Sequence, residues 1–283
     1  MKKQQTYSAY LNTRRFFIYI AMAFLTLLAV VPIYLMIINA TRSTEQINAG
    51  ISLFPGSNLS YNWNALTSRG FQIKQGFFNS AFIAVISTFL TVYFSAMTAY
   101  GIHIYNFKGK KILWSAILII MMLPASLSFI GFYQFMSRMR LLDNFIPLII
   151  PAVCAASTVM FIRQYMQSML PKELIESSRM DGAGELRTFN MIVLPVLTPA
   201  LSAQAIFAFV ASWNNFFTPF VLISSQKKYT LPMLVQALRG DIYRTEYGGI
   251  YLGIAVSIVP ILIFYALMSR YIISGVASGG VKE

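Results

Sequence analysis

Long stretches without a charged residue decide what this chain can fold into. Six of these stretches are also rich in apolar residues, and each is long enough for the roughly 20 helical residues that cross the hydrocarbon of a membrane. A charge at mid-membrane costs about 2.5–3.5 kcal/mol on insertion scales, so membrane spans must lie where charges are absent. The six runs cover residues 16–41, 75–107, 112–137, 144–162, 188–226 and 247–269.

The composition favours the same class of protein. Of the 283 residues, 57% are hydrophobic and 11% are charged, whereas soluble domains have about 25% charged residues. We therefore predict an all-α integral membrane protein with six transmembrane helices. The predicted spans are about 16–38, 77–102, 112–134, 145–167, 198–223 and 250–273.

The basic residues predict the orientation in the membrane. The formal net charge is +13, but the basic residues are scattered through loops, which argues against a nucleic-acid partner. With the N-terminus inside, 13 of the 22 basic residues are cytoplasmic, and the bias is strongest at the first span. We expect both termini to be cytoplasmic. The first apolar run is too long for a signal peptide and is expected to stay as an anchor.

One polar segment, residues 171–199, interrupts the apolar pattern. It holds four of the nine acidic residues of the chain. Pro171 and the acidic residues after it favour a helix start, and Gly182 supplies a break. A second helix is predicted from Glu185 until Pro195 disturbs it. The segment is either an amphipathic loop at the membrane surface or the place where energy from another subunit is received.

The second predicted span carries a stripe of small and hydroxyl-bearing residues at spacings of three or four. Such a stripe either lets another helix approach closely or lines a polar passage, and the sequence leaves both interpretations open. Ser87 and Thr91 are the members that we assign to a possible passage. The whole stripe is Ser80, Ala84, Ser87, Thr91, Ser95 and Thr98.

The fifth predicted span contains amides inside the apolar region. Amides in a membrane are costly unless they are paired, so this face must point into protein or water. Its partner is another helix or a substrate hydroxyl. The face consists of Gln204, Ala208, Ala211 and Asn215, with Ser212, Trp213 and Asn214 beside it.

Four other segments carry weaker predictions. Pro124 predicts a kink in the third span, which either lines a cavity or serves packing. Residues 1–15 form a basic lead-in on the inner leaflet or a frayed tail. The loop 224–249 contacts a soluble partner or is simply solvated. Residues 274–283 have the composition of a flexible tail.

The chemistry of an enzyme is missing from the sequence. It contains no GxxxxGK[ST] phosphate loop, no metal-ligand spacing around His103, and no plausible Ser/His/Asp set. Cys154 is the single cysteine, so it forms no disulfide within the chain. The spans also lack Asp and Glu, which ion-driven carriers place at mid-membrane. Energy for uphill transport would therefore come from another subunit.

The acidic loop resembles the Glu-Ala-Ala loop of ABC-importer permease subunits. The similarity rests on Glu176-Ser177-Ser178, Gly182, nine intervening residues, Ile192 and Leu194-Pro195. Ser177 and Ser178 stand where the pattern has two alanines. Other segments resemble carbohydrate-uptake permeases of the maltose-transporter type, in particular the six-span partner of the two, over residues 75–283. These segments are Arg179 to Ala183, Ser212 to Phe216, Thr230 to Pro232 and Gly279 to Glu283.

The resemblance implies a type I ABC-importer permease fold in the bacterial plasma membrane. A short helix over 173–181 would sit in a cleft of a cytoplasmic ATPase dimer, which uses the ATP, so that this chain binds no cofactor and no metal and has no catalytic residue. The further partners implied are a second homologous permease subunit, an extracellular sugar-binding protein and membrane lipid. The residues implied in ATPase coupling are Glu173, Glu176, Ser177, Ser178, Asp181, Gly182 and Ala183.

The predicted organisation has three parts. Residues 1–74 hold the lead-in, the first span and an outer loop, residues 75–273 hold the permease domain with its coupling loop at 171–199, and residues 274–283 form the tail. Two other hypotheses stay open, a membrane-embedded scaffold without a transport path and a stand-alone carrier or channel. The residues predicted for a translocation path are Gln204, Ser212, Asn214, Asn215, Ser87 and Thr91.

Overall fold

The chain is built from helices. The computed structural model describes residues 2–68, 72–237 and 246–279, and these ranges contain no strand. A π turn covers Phe189–Val193, and 3₁₀ turns cover Ile150–Ala152 and Gln226–Lys228. The α-helices in these ranges are α1 Lys2–Ala40, α2 Thr44–Asn48, α3 Leu59–Ser68, α4 Ile73–Ile104, α5 Lys110–Met122, α6 Ala125–Arg138, α7 Ile146–Ile149, α8 Ala156–Met169, α9 Lys172–Met180, α10 Glu185–Thr188, α11 Leu194–Trp213, α12 Phe217–Leu222, α13 Leu231–Ala237 and α14 Tyr247–Gly279.

The prediction of an all-α protein with apolar spans is confirmed. In the part of the chain that the structure describes, five helical segments are long and apolar enough to cross a membrane. The count of six spans and the orientation of the termini stay predictions. The five segments are Arg14–Ala40, Ile73–Ile104, Ile146–Met169, Glu185–Trp213 and Tyr247–Ile272.

The third predicted span, 112–134, is not one helix. α5 ends at Met122 and α6 begins at Ala125, and Leu123 and Pro124 between them have extended backbone. Proline lacks a backbone donor and disfavours helical backbone in the residue before it, so the break falls where the sequence predicted a kink. The two helices have 13 and 14 residues, and each is too short to span the membrane alone.

The start of the predicted fifth span at residue 198 is wrong. The helical segment begins at Glu185 and continues through the π turn into α11. In that turn the N–H of Leu194 donates to the carbonyl of Phe189, five residues earlier. The wider turn lies directly before Pro195 and makes room for a ring that would otherwise press on the preceding turn. The proline therefore does not end the helix.

The predicted end of that span at residue 223 is also wrong. α11 stops at Trp213, and α12 begins only at Phe217. Between them the Oδ1 atom of Asn215 accepts a hydrogen bond from the N–H of Thr218 at 3.2 Å. Asparagine side chains compete with the helix for backbone donors in this way, which explains a turn inside an apolar run.

The end of the chain differs from the prediction as well. α14 continues to Gly279, so the tail predicted for 274–283 starts too early, and residues 280–283 lie outside the described residues. A helix that is already long gains a hydrogen bond with each further residue, so a composition rich in serine and glycine does not stop it. Within the predicted outer loop 224–249, residues 238–245 also lie outside the described residues.

The chain divides into two compact units. The first contains Met1–Phe71 and Ala237–Val256, and the second contains Gln72–Gln236 and Ser257–Glu283. The domain division predicted at residues 74 and 75 stays a prediction. No local sequence signal showed that residues 237–256 join the N-terminal unit, because that grouping depends on contacts between distant segments.

Asn62 organises the first unit. Its side chain is 1% exposed, and its amide donates to the carbonyls of Ala40 at 2.8 Å and Arg42 at 3.0 Å. Carbonyls at the end of a helix have no partner within it, so the amide completes the end of α1. A Cβ atom at Gly248 would lie 2.4 Å from the carbonyl oxygen of Arg42. The start of α14 thus packs closely on the end of α1.

Helices α4, α8 and α11 form the core of the second unit, where α4 packs against both of the others. Trp213, 1% exposed, donates from Nε1 to the carbonyl of Ser257 at 2.9 Å. The rings of Phe209 and Phe264 stack with their centroids 4.1 Å apart. These contacts attach the second half of α14 to the end of α11.

Asp143 joins two loops of the second unit. Its carboxylate accepts hydrogen bonds from the N–H groups of Ser224 and Ser225 at 3.0 and 2.9 Å, and from the Ser225 hydroxyl at 2.6 Å. It also forms an ion pair with Lys228 at 2.9 Å. These donors, the Ser225 hydroxyl above all, hold the pKa of the Asp143 carboxyl well below its usual range.

We expect Gly248→Ala to lower the melting temperature of the detergent-solubilised chain. The added Cβ would overlap a backbone carbonyl, and overpacking of this kind costs about 1–3 kcal/mol. Gly249→Ala is the matched control, since its Cβ would meet no atom closer than 3.7 Å. Thermal unfolding of both variants checks the expectation, and equal melting temperatures would contradict it.

We expect Asp143→Asn to destabilise the chain at neutral pH but not in acid. Asp143 has a φ of 55°, and asparagine tolerates this backbone, so the variant removes the charge and keeps the turn. The pKa of an aspartate carboxyl in the unfolded chain is about 4, and here the pKa in the folded chain is lower. Such a carboxyl stabilises the fold fully when the pH is above its unfolded-state pKa, and this contribution is lost as the pH falls through its folded-state pKa. Thermal unfolding over this pH range checks the prediction. A difference from the parent that does not shrink below about pH 4 would refute it.

Candidate coupling loop and membrane cavity

The polar loop begins with α9. The helix covers Lys172–Met180, one residue earlier at each end than the helix predicted at 173–181. Pro171 has extended backbone and caps its start. Ile175, 1% exposed, turns toward the core of the second unit, while most of the helix is exposed. One face of α9 therefore packs against the core of the second unit, and the opposite face is exposed.

Gly182 ends α9 in a Schellman motif. Its φ is 77°, and its N–H donates to the carbonyl of Arg179 at 3.0 Å. The N–H of Ala183 donates to the carbonyl of Ser178 at 3.1 Å. This pair of bonds requires a left-handed residue at the glycine position. An added Cβ at Gly182 would meet nothing within 4 Å, so the glycine is needed for its backbone and not for space.

The two serines that replace alanines in the loop are both satisfied inside it. Ser178 is 4% exposed, and its Oγ lies 2.7 Å from the Oγ1 of Thr188, which is fully buried. Ser177 is exposed, and its hydroxyl donates to the carbonyl of Leu174 at 3.1 Å. Ser178 therefore joins the two helices of the loop from within, and its role in ATPase coupling stays a prediction.

The outward side of the loop carries free carboxylates. Glu173, Glu176 and Asp181 are exposed, and the described part of the chain supplies no ion pair to any of them. Ala183 is half-buried beside them. We call Glu173, Glu176 and Asp181 the outer face of the loop. Its charges are available to a partner.

The fourth carboxylate of the loop, Glu185, is held from within the chain. It accepts hydrogen bonds from Arg179 Nε at 2.9 Å, from Tyr100 Oη at 3.3 Å and from Tyr105 Oη. The Arg179 guanidinium also lies 5.6 Å from the centroid of the Tyr105 ring. Burial, and then the bond to Glu185, raise the pKa of the Tyr105 phenol, which keeps it a donor. We call these four residues the tyrosine–glutamate node.

Aromatic contacts extend the node along α4. The ring of Phe189 packs against Tyr93 and Tyr100, with centroids 5.7 and 5.4 Å apart. The hydroxyl of Tyr93 donates to Asn190 Oδ1 at 3.2 Å. The end of α4 therefore contacts the loop at several points. The sequence did not predict this node, because its members lie up to 85 residues apart and no local pattern links them.

A cavity of about 640 Å³ lies among α4, α6, α7, α8 and α11. The wall of the cavity includes five of the six residues predicted for a translocation path: Ser87, Thr91, Gln204, Ser212 and Asn215. The sixth, Asn214, is exposed at the end of α11 and lies outside that wall. The sequence missed the aromatic part of the lining, which consists of Phe129, Phe132 and Phe207.

The hydroxyl stripe of α4 bonds to neighbouring segments and also borders the cavity. Ser80 accepts from the N–H of Leu231 at 2.9 Å, Thr91 donates to the carbonyl of Ala152, and Ser95 accepts from the N–H of Ala155 at 3.2 Å. Ser87 is different. It is 2% exposed, lines the cavity, and its hydroxyl has no partner among the described residues.

One helical segment connects the loop with the cavity. Glu185–Trp213 begins at the node, and Gln204, Ala208 and Ala211 on its later turns line the cavity wall. From Glu185 to Gln204 the helix rises about 29 Å at 1.5 Å per residue. The loop and the cavity wall are therefore parts of one continuous helical segment.

No metal chemistry competes with this arrangement in the described ranges. They contain no group of three or more His, Cys, Asp or Glu side chains that could hold a metal ion. Cys154 is a free thiol whose sulfur lies 3.5 Å from the Thr98 hydroxyl. The described residues form a charged outer face on the loop, the helical segment Glu185–Trp213 and a cavity.

Comparison with known proteins places these features in a family. Residues 92–277 match the family described as binding-protein-dependent transport system inner membrane component. The chain is 35% identical to the arabinooligosaccharides transport system permease protein AraQ of Halalkalibacterium halodurans, over 93% of this chain and 95% of the relative. It is 27% identical to the lactose transport system permease protein LacG of Rhizobium radiobacter, over 93% and 95% of the two chains.

A solved structure shows the same fold. It is the crystal structure of a bacterial ABC transporter involved in the import of the acidic polysaccharide alginate, with a TM-score of 0.79 at 23% identity. The match covers 91% of this chain and 96% of the other. The chain belongs to the family of binding-protein-dependent transport system inner membrane components, which are transport permeases and not enzymes.

Proposed function

We propose that this chain is a permease subunit of an ATP-driven importer of sugars or oligosaccharides, that it forms half of the translocation path, and that it receives energy through the loop at 173–195. The observation that carries the proposal is the helical segment Glu185–Trp213, which joins the loop to the cavity. The names of the relatives, which include transporters for arabinooligosaccharides and lactose, support sugars as the solute class.

In the proposed topology the chain crosses the membrane six times and both termini are cytoplasmic. α5 and α6 together make the third crossing. The break between them supports this assignment, because α6 contributes Ser128, Phe129 and Phe132 to the cavity wall. Broken helices are tolerated at membrane depth where they line a cavity. The bias of basic residues supports the orientation.

The outer face of the loop is the proposed docking surface for a cytoplasmic ATPase dimer. ATP is bound and hydrolysed on that separate subunit, and this chain holds no cofactor. Glu173, Glu176 and Asp181 would pair with donors in a cleft of the ATPase. Each carboxylate would lose its hydrogen bonds to water there, and charge-assisted hydrogen bonds from the ATPase would compensate for that loss. Ser177 and Ala183 lie beside them, while Gly182 and Ser178 set the shape of the loop.

The tyrosine–glutamate node is the proposed inner attachment of the loop. A force applied to α9 passes through Arg179 to Glu185, and from there to α4 through Tyr100 and Tyr105. Both α4 and the Glu185–Trp213 segment line the cavity. The loop would therefore move two walls of the cavity together, as rigid-body transitions between two states require.

The cavity suits a solute that has apolar faces and a polar edge. Phe129, Phe132 and Phe207 supply flat apolar surface, while the Ser87 hydroxyl and the Gln204 amide supply hydrogen-bonding groups. Sugar rings combine these two kinds of surface. We propose that an extracellular sugar-binding protein delivers the solute and that a second homologous permease subunit closes the path from the other side.

Purification of the assembled complex tests the function. We expect the full chain to co-purify with a second permease and an ATPase, and sugar-loaded binding protein to stimulate ATP hydrolysis and uptake in vesicles. Partner binding without stimulated hydrolysis would support a scaffold instead. Solute flux through the purified chain alone would support a stand-alone carrier.

We expect Glu176→Lys to abolish uptake while the chain remains in the membrane. A reversed charge at a docked carboxylate costs at least the about 2–5 kcal/mol of truncating one partner of such a pair. Gly182→Asp is expected to fail in the same assay because it adds a negative charge beside the outer face, and Gly182→Asn, which tolerates the left-handed backbone without that charge, to retain more uptake. Glu45→Lys, a reversal at another exposed carboxylate, is the control. Normal uptake by both Glu176→Lys and Gly182→Asp would rule out the coupling assignment.

We expect Tyr105→Phe to uncouple transport from ATP hydrolysis. The variant keeps the ring under Arg179 and removes one donor to Glu185, and a bond to a charged group contributes about 1.5–3 kcal/mol. Assembly and basal hydrolysis should persist, while the sugar imported per ATP falls about tenfold, which corresponds to about 1.4 kcal/mol. Tyr133→Phe is the control. An unchanged ratio of sugar to ATP would show that the node serves only to hold the fold.

A further inference from the structure

Arg163 is an unusual residue in the second unit. It lies on α8, near the end of an apolar segment, and its guanidinium carbon is 4.1 Å from the centroid of the Trp114 ring. The Nε atom is buried, and it has no hydrogen-bond partner among the described residues. Stacking on an aromatic ring satisfies none of the five N–H donors of a guanidinium. A buried charged donor without a partner is costly, so the site lacks an acceptor.

Arg163 is one of several basic residues near His103. The charged groups that act on nearby His103 are Lys172, Arg163 and Lys110, in that order, and all of them are basic. Lys110 is fixed at the start of α5, where its Nζ donates to the Tyr105 carbonyl at 2.8 Å. Glu185, which contacts the tyrosines at the end of α4, already accepts three donors in the node.

Repulsion among these groups indicates that an anion is missing. Like charges that gather in one region of a protein repel each other unless a counter-charge is present. Three helices contribute the cations, Lys110 on α5, Arg163 on α8 and Lys172 on α9, and His103 on α4 adds a hydrogen-bonding imidazole. A positive pocket formed by several helix ends is therefore maintained by the fold without an internal counter-charge among the described residues.

The position of the pocket indicates the kind of anion. His103 and Arg163 belong to the last turns of the apolar segments Ile73–Ile104 and Ile146–Met169, and Lys172 follows the second of these by three residues. This is the depth of lipid headgroups, where tryptophan is also enriched. A guanidinium binds phosphate oxygens in a bidentate geometry, and basic pockets between membrane helices bind anionic headgroups.

We propose that Arg163, Lys110, Lys172 and His103, with Trp114 beneath the guanidinium, form a binding site for the phosphate of an anionic phospholipid. The lipid chains would lie along the exposed apolar side of α5, where Ile112 and Leu113 face outward. The site is separate from the outer face of the loop and from the cavity, and it does not depend on the proposed function.

Native mass spectrometry of the full chain in detergent micelles tests the site. Phosphatidylglycerol and phosphatidylcholine with the same acyl chains are titrated in parallel, and retained lipid is counted. We expect one phosphatidylglycerol to be retained more tightly than phosphatidylcholine. Arg163→Gln and Lys172→Gln should each weaken that binding about fivefold, since one basic residue near a lipid surface contributes about 1 kcal/mol.

Lys108→Gln is the matched control, because it removes the same charge two residues before Lys110, outside the proposed site, and should leave binding unchanged. Lys172 is exposed, so Lys172→Gln keeps the test valid if Arg163→Gln does not fold. Equal retention of the two lipids would overturn the proposal, as would equal losses in Lys172→Gln and Lys108→Gln. Displacement by millimolar inorganic phosphate would assign the pocket to a free anion and would also overturn the lipid site.

Discussion

The structure depends on how the backbone is satisfied where helices break inside an apolar region. Hydrocarbon offers no hydrogen bonds, so each break needs a partner from the chain itself. α4 supplies such partners: Thr91 donates to the carbonyl of Ala152, and Ser95 accepts from the N–H of Ala155, on either side of the gap before α8. Asn215 does the same after α11. The cavity lies beside these breaks because irregular backbone leaves space that regular helices would fill.

The loop has two sides with different chemistry, and the difference lies in which carboxylates are already paired. Glu185 accepts three donors from Arg179 and two tyrosines, whereas Glu176 and its neighbours on the outer face have no ion pair in the described part of the chain. Ser178 adds a buried bond to Thr188. Hydrogen bonds therefore fix the inner side of the loop to its own chain, while the carboxylates of the outer face are exposed. A loop that passes a movement from a partner to its own chain would need both properties.

The sequence predicted much of this architecture and failed where distant residues decide. Charge-free runs predicted the apolar spans, Pro124 marked a real break, and Gly182 marked the turn between the two loop helices. The 198–223 span was wrong because helix continuity at Pro195 depends on a π turn and its end depends on the Asn215 side chain. The sequence did not predict the tyrosine–glutamate node or the bonds of Asp143 to Ser224 and Ser225. In both cases the partners are about 80 residues apart and share no periodic pattern.

The two ends of the Glu185–Trp213 segment lie in different surroundings, and the residues at each end differ accordingly. At the loop, one backbone angle at Gly182 and one carboxylate at Glu185 fix the geometry. At the cavity, aromatic faces and a few hydroxyls surround about 640 Å³ without a charge in the wall. The lining side chains take no part in the hydrogen bonds of the node, so a change in the cavity lining leaves the helix and its attachment to α4 intact.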